Sequence, residues 1–225
     1  MLIQTVMPRF IVEFALANKN FDLLKILHHI VYIKEINMGI DNKKEIKEIL
    51  ERARTAIKSA KMYEETTDFE AAKFMAKSAY EYYRQLQDTC FMKEKADCEM
   101  YVAKLAHICA DLEGAVKYSF LASKSYENIF KQDASQYLNF VRAKLWCAKL
   151  YERLEMQNNA IESYSDVIDV IVENSNAKNK EEVEMVEDCL DGLWRIKVIF
   201  GCGNSLAVRT GKAFLENAKD YGSTK

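Results

Sequence analysis

The sequence is nearly without proline. Among 225 residues there is one, Pro8, with only seven glycines. Turn-rich β folds need both residues as punctuation, and long helices exclude them, so the composition points to an all-α chain. Net charge is also missing. At −2, with a pI near 6.0, the chain offers no global field to hold a phosphate backbone, and nucleic acid is not an expected partner. Nor is there a long apolar run near the start. The stretch from Leu23 to Ile33 is interrupted by Lys25, His28 and His29, whereas a membrane span takes about 18 uninterrupted apolar residues. The opening segment Met1 to Met7 lacks the charge order of a signal peptide, so no membrane insertion is expected. The six cysteines form no CxxC pair and read as reduced, mostly buried small hydrophobes. That usage favours a cytoplasmic protein, with a nuclear location as the alternative.

Reactive constellations are equally scarce. His28, His29 and His107 make no ExxH or HxxxH pair, which leaves a di-iron or zinc-helix motif unsupported. Gly201, Cys202, Gly203 and Asn204 read as a helix-ending turn, since no strand precedes them to make a phosphate loop. Glu184, Glu187, Asp188 and Asp191 read as a solvated acidic face. Cys109 and Cys147 sit in apolar helical contexts with no activating partner. No catalytic residue, metal or cofactor is expected, and a divergent helical enzyme ranks last among the alternatives.

What the sequence does contain is a repeated phrase. Ala60-Lys61-Met62-Tyr63 precedes Ala72, Ala103-Lys104-Leu105-Ala106 precedes Ala115, and Ala148-Lys149-Leu150-Tyr151 precedes Ala160. The copies lie 43 and 45 residues apart, and the second alanines keep the same intervals. Such a period marks helical hairpins that cannot bury their apolar faces singly. Asp68-Phe69-Glu70 and Asp111-Leu112-Glu113 open the second helices in the same register, with each aspartate placed to cap. The expected organisation is one helical-repeat domain over 1–225: repeats at 43–87, 93–131 and 134–174, a degenerate hairpin at 8–37, and a degenerate capping hairpin at 181–220. That makes about ten helices.

These residues resemble the tetratricopeptide-like superfamily across roughly residues 50 to 172. The family's small positions correspond to Ala60, Ala72 and Ala79, to Ala103, Ala115 and Ala122, and to Ala148, Ala160 and Val167, with Tyr63, Tyr151 and Tyr164 at aromatic places. The repeats are longer than usual, alanine replaces the family's glycine, its tryptophan is missing, and no proline closes each repeat. In these respects the chain is similar to the soluble NSF-attachment proteins and to repeat subunits of large complexes. The resemblance implies a right-handed stack of antiparallel helical hairpins, an α-solenoid whose first helices line a concave groove. It further implies a non-catalytic adaptor that holds a peptide or helix of another protein.

On that reading Lys61, Lys104 and Lys149 form a ladder along the groove, joined by Arg54 and Arg142 two turns earlier, over an apolar floor of Ile57, Met100 and Leu145. Such a stripe suits an acidic or phosphorylated segment, or a terminal carboxylate. Tyr83, beside Arg84, is the expected partner anchor. The alternative is a structural subunit that docks into a large assembly through its ends. Leu2, Ile3, Val6, Met7 and Phe10 then form an apolar docking segment, which would also serve a homo-oligomer.

Overall fold

Small and aliphatic residues recurring every three or four positions fold into eight α-helices among the described residues, and no strand occurs there. They are α1 (Phe21–Glu65), α2 (Phe69–Gln85), α3 (Met92–Ile108), α4 (Leu112–Gln132), α5 (Tyr137–Arg153), α6 (Gln157–Asn174), α7 (Lys180–Phe200) and α8 (Leu206–Gly222), with a 3-10 turn at Ala134–Gln136 before α5. The computed structural model describes the backbone of residues 21–86, 91–175, 179–200 and 206–222. Side chains are described for 43–86, 91–175, 179–196 and 206–219.

Eight helices in these residues replace the expected ten. The break anticipated between 37 and 43 does not occur, because α1 runs through it without interruption. The only breaker there is Gly39, and a lone glycine costs about 1 kcal/mol relative to alanine, too little to stop a long helix. Residues 8–20, the start of the anticipated first hairpin, lie outside the described residues.

The chain divides into two units, 1–51 and 52–225. The described part of the first unit is helical from Phe21. In the second, helices pack chiefly on their neighbours in sequence: α2 on α3, α3 on α4, α4 on α5, α5 on α6, and α6 on α7. α8 lies against α6 and α7, and α5 also touches α7.

The repeated alanines explain the close packing. Ala60, Ala72, Ala79, Ala103, Ala115, Ala122, Ala148 and Ala160 are all fully buried, as is Val167. A methyl group there lets helix backbones approach, while larger residues fill the remaining space. Tyr126, Phe140, Val141, Tyr164, Ile168, Ile171, Val186 and Phe214 belong to one continuous core cluster. Ile168 and Ile171, with no exposed surface, each contribute roughly 1.5–3 kcal/mol of burial. Two buried carboxylates are held by partners within this packing. Glu99 accepts from Ser125 Oγ at 2.7 Å, and Glu182 accepts from Tyr137, Ser175 and Asn179.

The period seen in the sequence reappears in the turns. Thr67, Ala110 and Glu155 have φ of 61°, 58° and 57°, the left-handed region, at the same intervals of 43 and 45 residues. Around each the hydrogen bonds match. Asp68 N–H donates to Tyr63 C=O at 2.9 Å, Asp111 to Ala106 at 2.8 Å, and Met156 to Tyr151 at 2.9 Å. Each left-handed residue also donates to the carbonyl three residues back, those of Glu64, His107 and Glu152. This double bond pattern closes the last helical turn and satisfies its carbonyls. Asp68 and Asp111 then cap the next helix, accepting from Ala71 N–H at 3.1 Å and Gly114 N–H at 2.9 Å. Met156 stands at the third such position and has no side-chain cap.

Candidate functional site

Lys61 on α1 and Lys104 on α3 are exposed, with no ion pair among the described residues. Lys149 on α5 is held differently. Its Nζ lies 2.6 Å from Asp188 Oδ2 on α7. Arg142, two turns earlier on α5, makes a two-pronged contact with Glu181 of α7, at 2.6 and 2.8 Å. The glutamate holds the Arg142 guanidinium above its ordinary range, and Arg142 holds Glu181 below the usual carboxylate range. Helix α7 therefore consumes two members of the expected basic stripe. Glu181 and Asp188 are seven residues apart, as are Arg142 and Lys149, a match that takes on meaning only once α7 lies beside α5. Two helices laid side by side bring such matched spacings together.

The remaining stripe residues fall in different settings. Arg54 is exposed on α1, and Ile57 and Met100 are half-buried. Leu145 is 7% exposed and belongs to the core, so it does not line a groove floor. Tyr83 is likewise a core residue at 5% exposure, leaving almost no surface for a partner. Burial pushes its phenol above the ordinary range. The expectation of a partner anchor at Tyr83 failed because its position on α2 continues the stripe Ala72, Ala76, Ala79, which turns inward. Leu2, Ile3, Val6, Met7 and Phe10 lie outside the described residues, as does the turn at 201–204.

Between α5 and α7 a cleft of about 390 Å³ is lined by Lys149, Glu152, Arg153, Asp188 and Arg195. Arg195 forks onto Glu152 at 2.6 and 3.0 Å, and Tyr164 Oη donates to the same carboxylate at 2.7 Å. Arg195 first, and Tyr164 after it, keep Glu152 below the usual carboxylate range. Asp188 is occupied by Lys149. Arg153 instead reaches back to α3, where its Nη1 sits 3.0 Å from His107 Nε2. The His107 ring meets Trp146 edge-on at 5.4 Å. Among the described residues Lys61, Lys104 and Arg153 have no carboxylate partner.

Gly192 makes room for Tyr164 against α7, and sequence reasoning passed over it. A Cβ at this position would stand 2.5 Å from the Tyr164 ring. The missing side chain lets Tyr164 pass against α7 and reach Glu152. A glycine inside a helical pattern, here between Asp191 and Leu193, is the signal that marks such an approach.

Among the described residues no group of three or more His, Cys, Asp or Glu side chains is placed to hold a metal ion. No helix there is long and apolar enough to cross a membrane. The thiols of Cys98 and Cys147 are buried, and burial pushes both above their ordinary range, Cys98 to about 12. Burial also leads at Cys109, where a hydrogen bond with Glu70 adds to the rise. All three are therefore protonated and poorly nucleophilic at neutral pH.

No protein-family model and no curated protein sequence matches the chain. Among solved structures, the crystal structure of BtubC (BKLC) from P. vanneervenii is similar at 12% identity and a TM-score of 0.48, over 81% of this chain and 88% of that one. The DHF58 filament is similar at 18% identity and a TM-score of 0.34, over 91% and 96%.

Proposed function

We propose that the chain is a tetratricopeptide-like adaptor without catalytic activity, a right-handed stack of helical hairpins that binds an extended peptide or helix of another protein. The binding face is that of the first helices α1, α3 and α5. The observation that carries this reading is the pairing of a threefold turn with exposed cations. Left-handed turns recur at Thr67, Ala110 and Glu155, and the exposed Lys61 and Lys104 stand six residues before the first two of them, which supports a common register for the hairpins. Carboxylates of a partner segment are the groups that would satisfy them.

The ion pairs of α5 with α7 determine how to test this. Reversing Lys149 or Arg142 breaks contacts inside the protein, so the informative variant is Lys61→Glu with Lys104→Glu. Intact and reversed chains of equal helicity are compared in quantitative pull-downs from the native cell. Selective loss of one set of proteins on reversal is expected. An unchanged set overturns the assignment of this face.

A further inference from the structure

Helices α1, α3 and α5 each meet the helix two further on through their penultimate residue. These residues are Glu64, His107 and Glu152, spaced by the repeat's own 43 and 45 residues. At the two outer junctions the residue is a carboxylate and the neighbouring helix supplies the donors. Glu64 accepts from Tyr101 Oη on α3 at 2.6 Å, and Glu152 accepts from Arg195 on α7 at 2.6 and 3.0 Å. The middle junction keeps the donors, but a histidine stands where the carboxylate would be. Arg153 of α5 brings Nη1 to 3.0 Å from His107 Nε2. Trp146, 45 residues after Tyr101, meets the same imidazole edge-on at 5.4 Å. Its indole N–H is buried and has no acceptor among the described residues. A buried donor in that condition is rare in folded proteins.

This junction is open to a ligand. Arg153 is exposed and lines the cleft of about 390 Å³. The two carboxylates of that cleft are engaged by other groups, Glu152 by Arg195 and Tyr164, and Asp188 by Lys149. Asp191 adds its charge at Arg195. Lys104 stands one turn before His107 on α3, is exposed, and pairs with no carboxylate among the described residues. The middle junction therefore gathers an imidazole and a guanidinium in contact, with an ammonium one turn away.

We infer that Arg153, beside His107, binds the side-chain carboxylate of a glutamate or aspartate in the partner segment. The outer junctions choose this chemistry, because a glutamate side chain fills the corresponding place in both. A partner's carboxylate supplies at His107 the acceptor that Glu64 and Glu152 supply on either side. The planar guanidinium can meet a carboxylate with two parallel hydrogen bonds, a geometry Arg195 already shows with Glu152. The inference rests on the reading of α1, α3 and α5 as the binding face, and assigns a residue and a chemical group to its centre.

Nuclear magnetic resonance on the isotope-labelled full chain tests it. The probe is acetyl-triglutamate amide, a capped peptide whose carboxylates are all on side chains. The chain has two tryptophans, so the Trp146 indole N–H reports on the site and that of Trp194, exposed on α7, serves as the control. A saturable shift of the Trp146 signal is expected, with Trp194 unmoved. Arg153→Ala weakens binding at least about threefold, as loss of an exposed ion pair does. His107→Glu gives Arg153 the kind of acceptor that Glu152 gives Arg195, so it keeps helicity and weakens binding at least as much. Acetyl-trialanine, which carries only a terminal carboxylate, leaves the Trp146 signal in place. The inference is overturned by the absence of a saturable shift, by binding that survives either variant, or by an equal response to acetyl-trialanine. The face as a whole is tested separately, by the pull-down with Lys61→Glu and Lys104→Glu. Partners lost there, with Trp146 unmoved by triglutamate, overturn this site and leave that reading intact.

Discussion

Replacing each left-handed turn residue by glycine should stabilise the protein. Thr67, Ala110 and Glu155 hold φ between 57° and 61°, where a Cβ crowds the following carbonyl. That crowding costs roughly 1–2 kcal/mol per residue. Glycine removes it but gives the unfolded chain more freedom, an opposing loss of about 0.5–1 kcal/mol. The net expectation is a gain of about 0.5–1 kcal/mol for each of Thr67→Gly, Ala110→Gly and Glu155→Gly. The three turns belong to separate hairpins and share no partner, so the triple variant should gain about 1.5–3 kcal/mol by simple addition. For a chain of this size that is a rise in Tm of roughly 3–12 °C. Urea titrations followed by helical circular dichroism provide the assay. The midpoint should move up in each single variant, in near-equal steps, with an unchanged slope. A fall in stability at all three positions would refute the repeated turn and the register built on it.

Three further predictions follow from the packing. Gly192→Ala drives a methyl group into the Tyr164 ring, lowering stability by about 1–3 kcal/mol and releasing the Tyr164–Glu152 bond, which thermal unfolding with near-ultraviolet circular dichroism detects. Burial raises the Glu99 carboxyl above its ordinary value of 4.5, more than Ser125 and Lys95 lower it. The folded state therefore holds that proton more tightly than the unfolded state, and the resulting stability is fully present below 4.5 and lost as pH rises through the folded value. Glu99→Gln should match the parent near pH 4.5, gain on it toward neutrality, and be refuted by a constant difference in Tm across that range. Lys149→Ala breaks a half-exposed pair with Asp188 and should cost at most about 1 kcal/mol, against no change for Lys61→Ala, as measured by urea midpoints.

The helical character is legible because burial imposes small residues at fixed places. The alanines of the three AK phrases, and those twelve residues on, all reach zero exposure. Asp68 and Asp111 announced their caps for a similar reason, since a helix start needs an acceptor at that position. The α1 boundary was not legible, because Gly39 is a punctuating residue only when its neighbours agree with it. Among site residues, Tyr83 stands beside Arg84 in sequence and is expected as a partner anchor, whereas helical phase sends it inward with Ala76 and Ala79. Lys149 looks identical in sequence to Lys61 and Lys104, and Arg142 to Arg54. Their fates diverge because Glu181 and Asp188 arrive from a helix some forty residues later, and no local pattern shows which helix will lie alongside.

Site-specific photo-crosslinking distinguishes a partner held on the first helices from one held on the second. A photoreactive side chain at Lys104 on α3, and in a second chain at Glu113 on the exposed side of α4, is activated in the native cell. Adducts to a partner protein are expected from position 104 and not from 113. Adducts from 113 alone would overturn this assignment and move partner binding to the second helices.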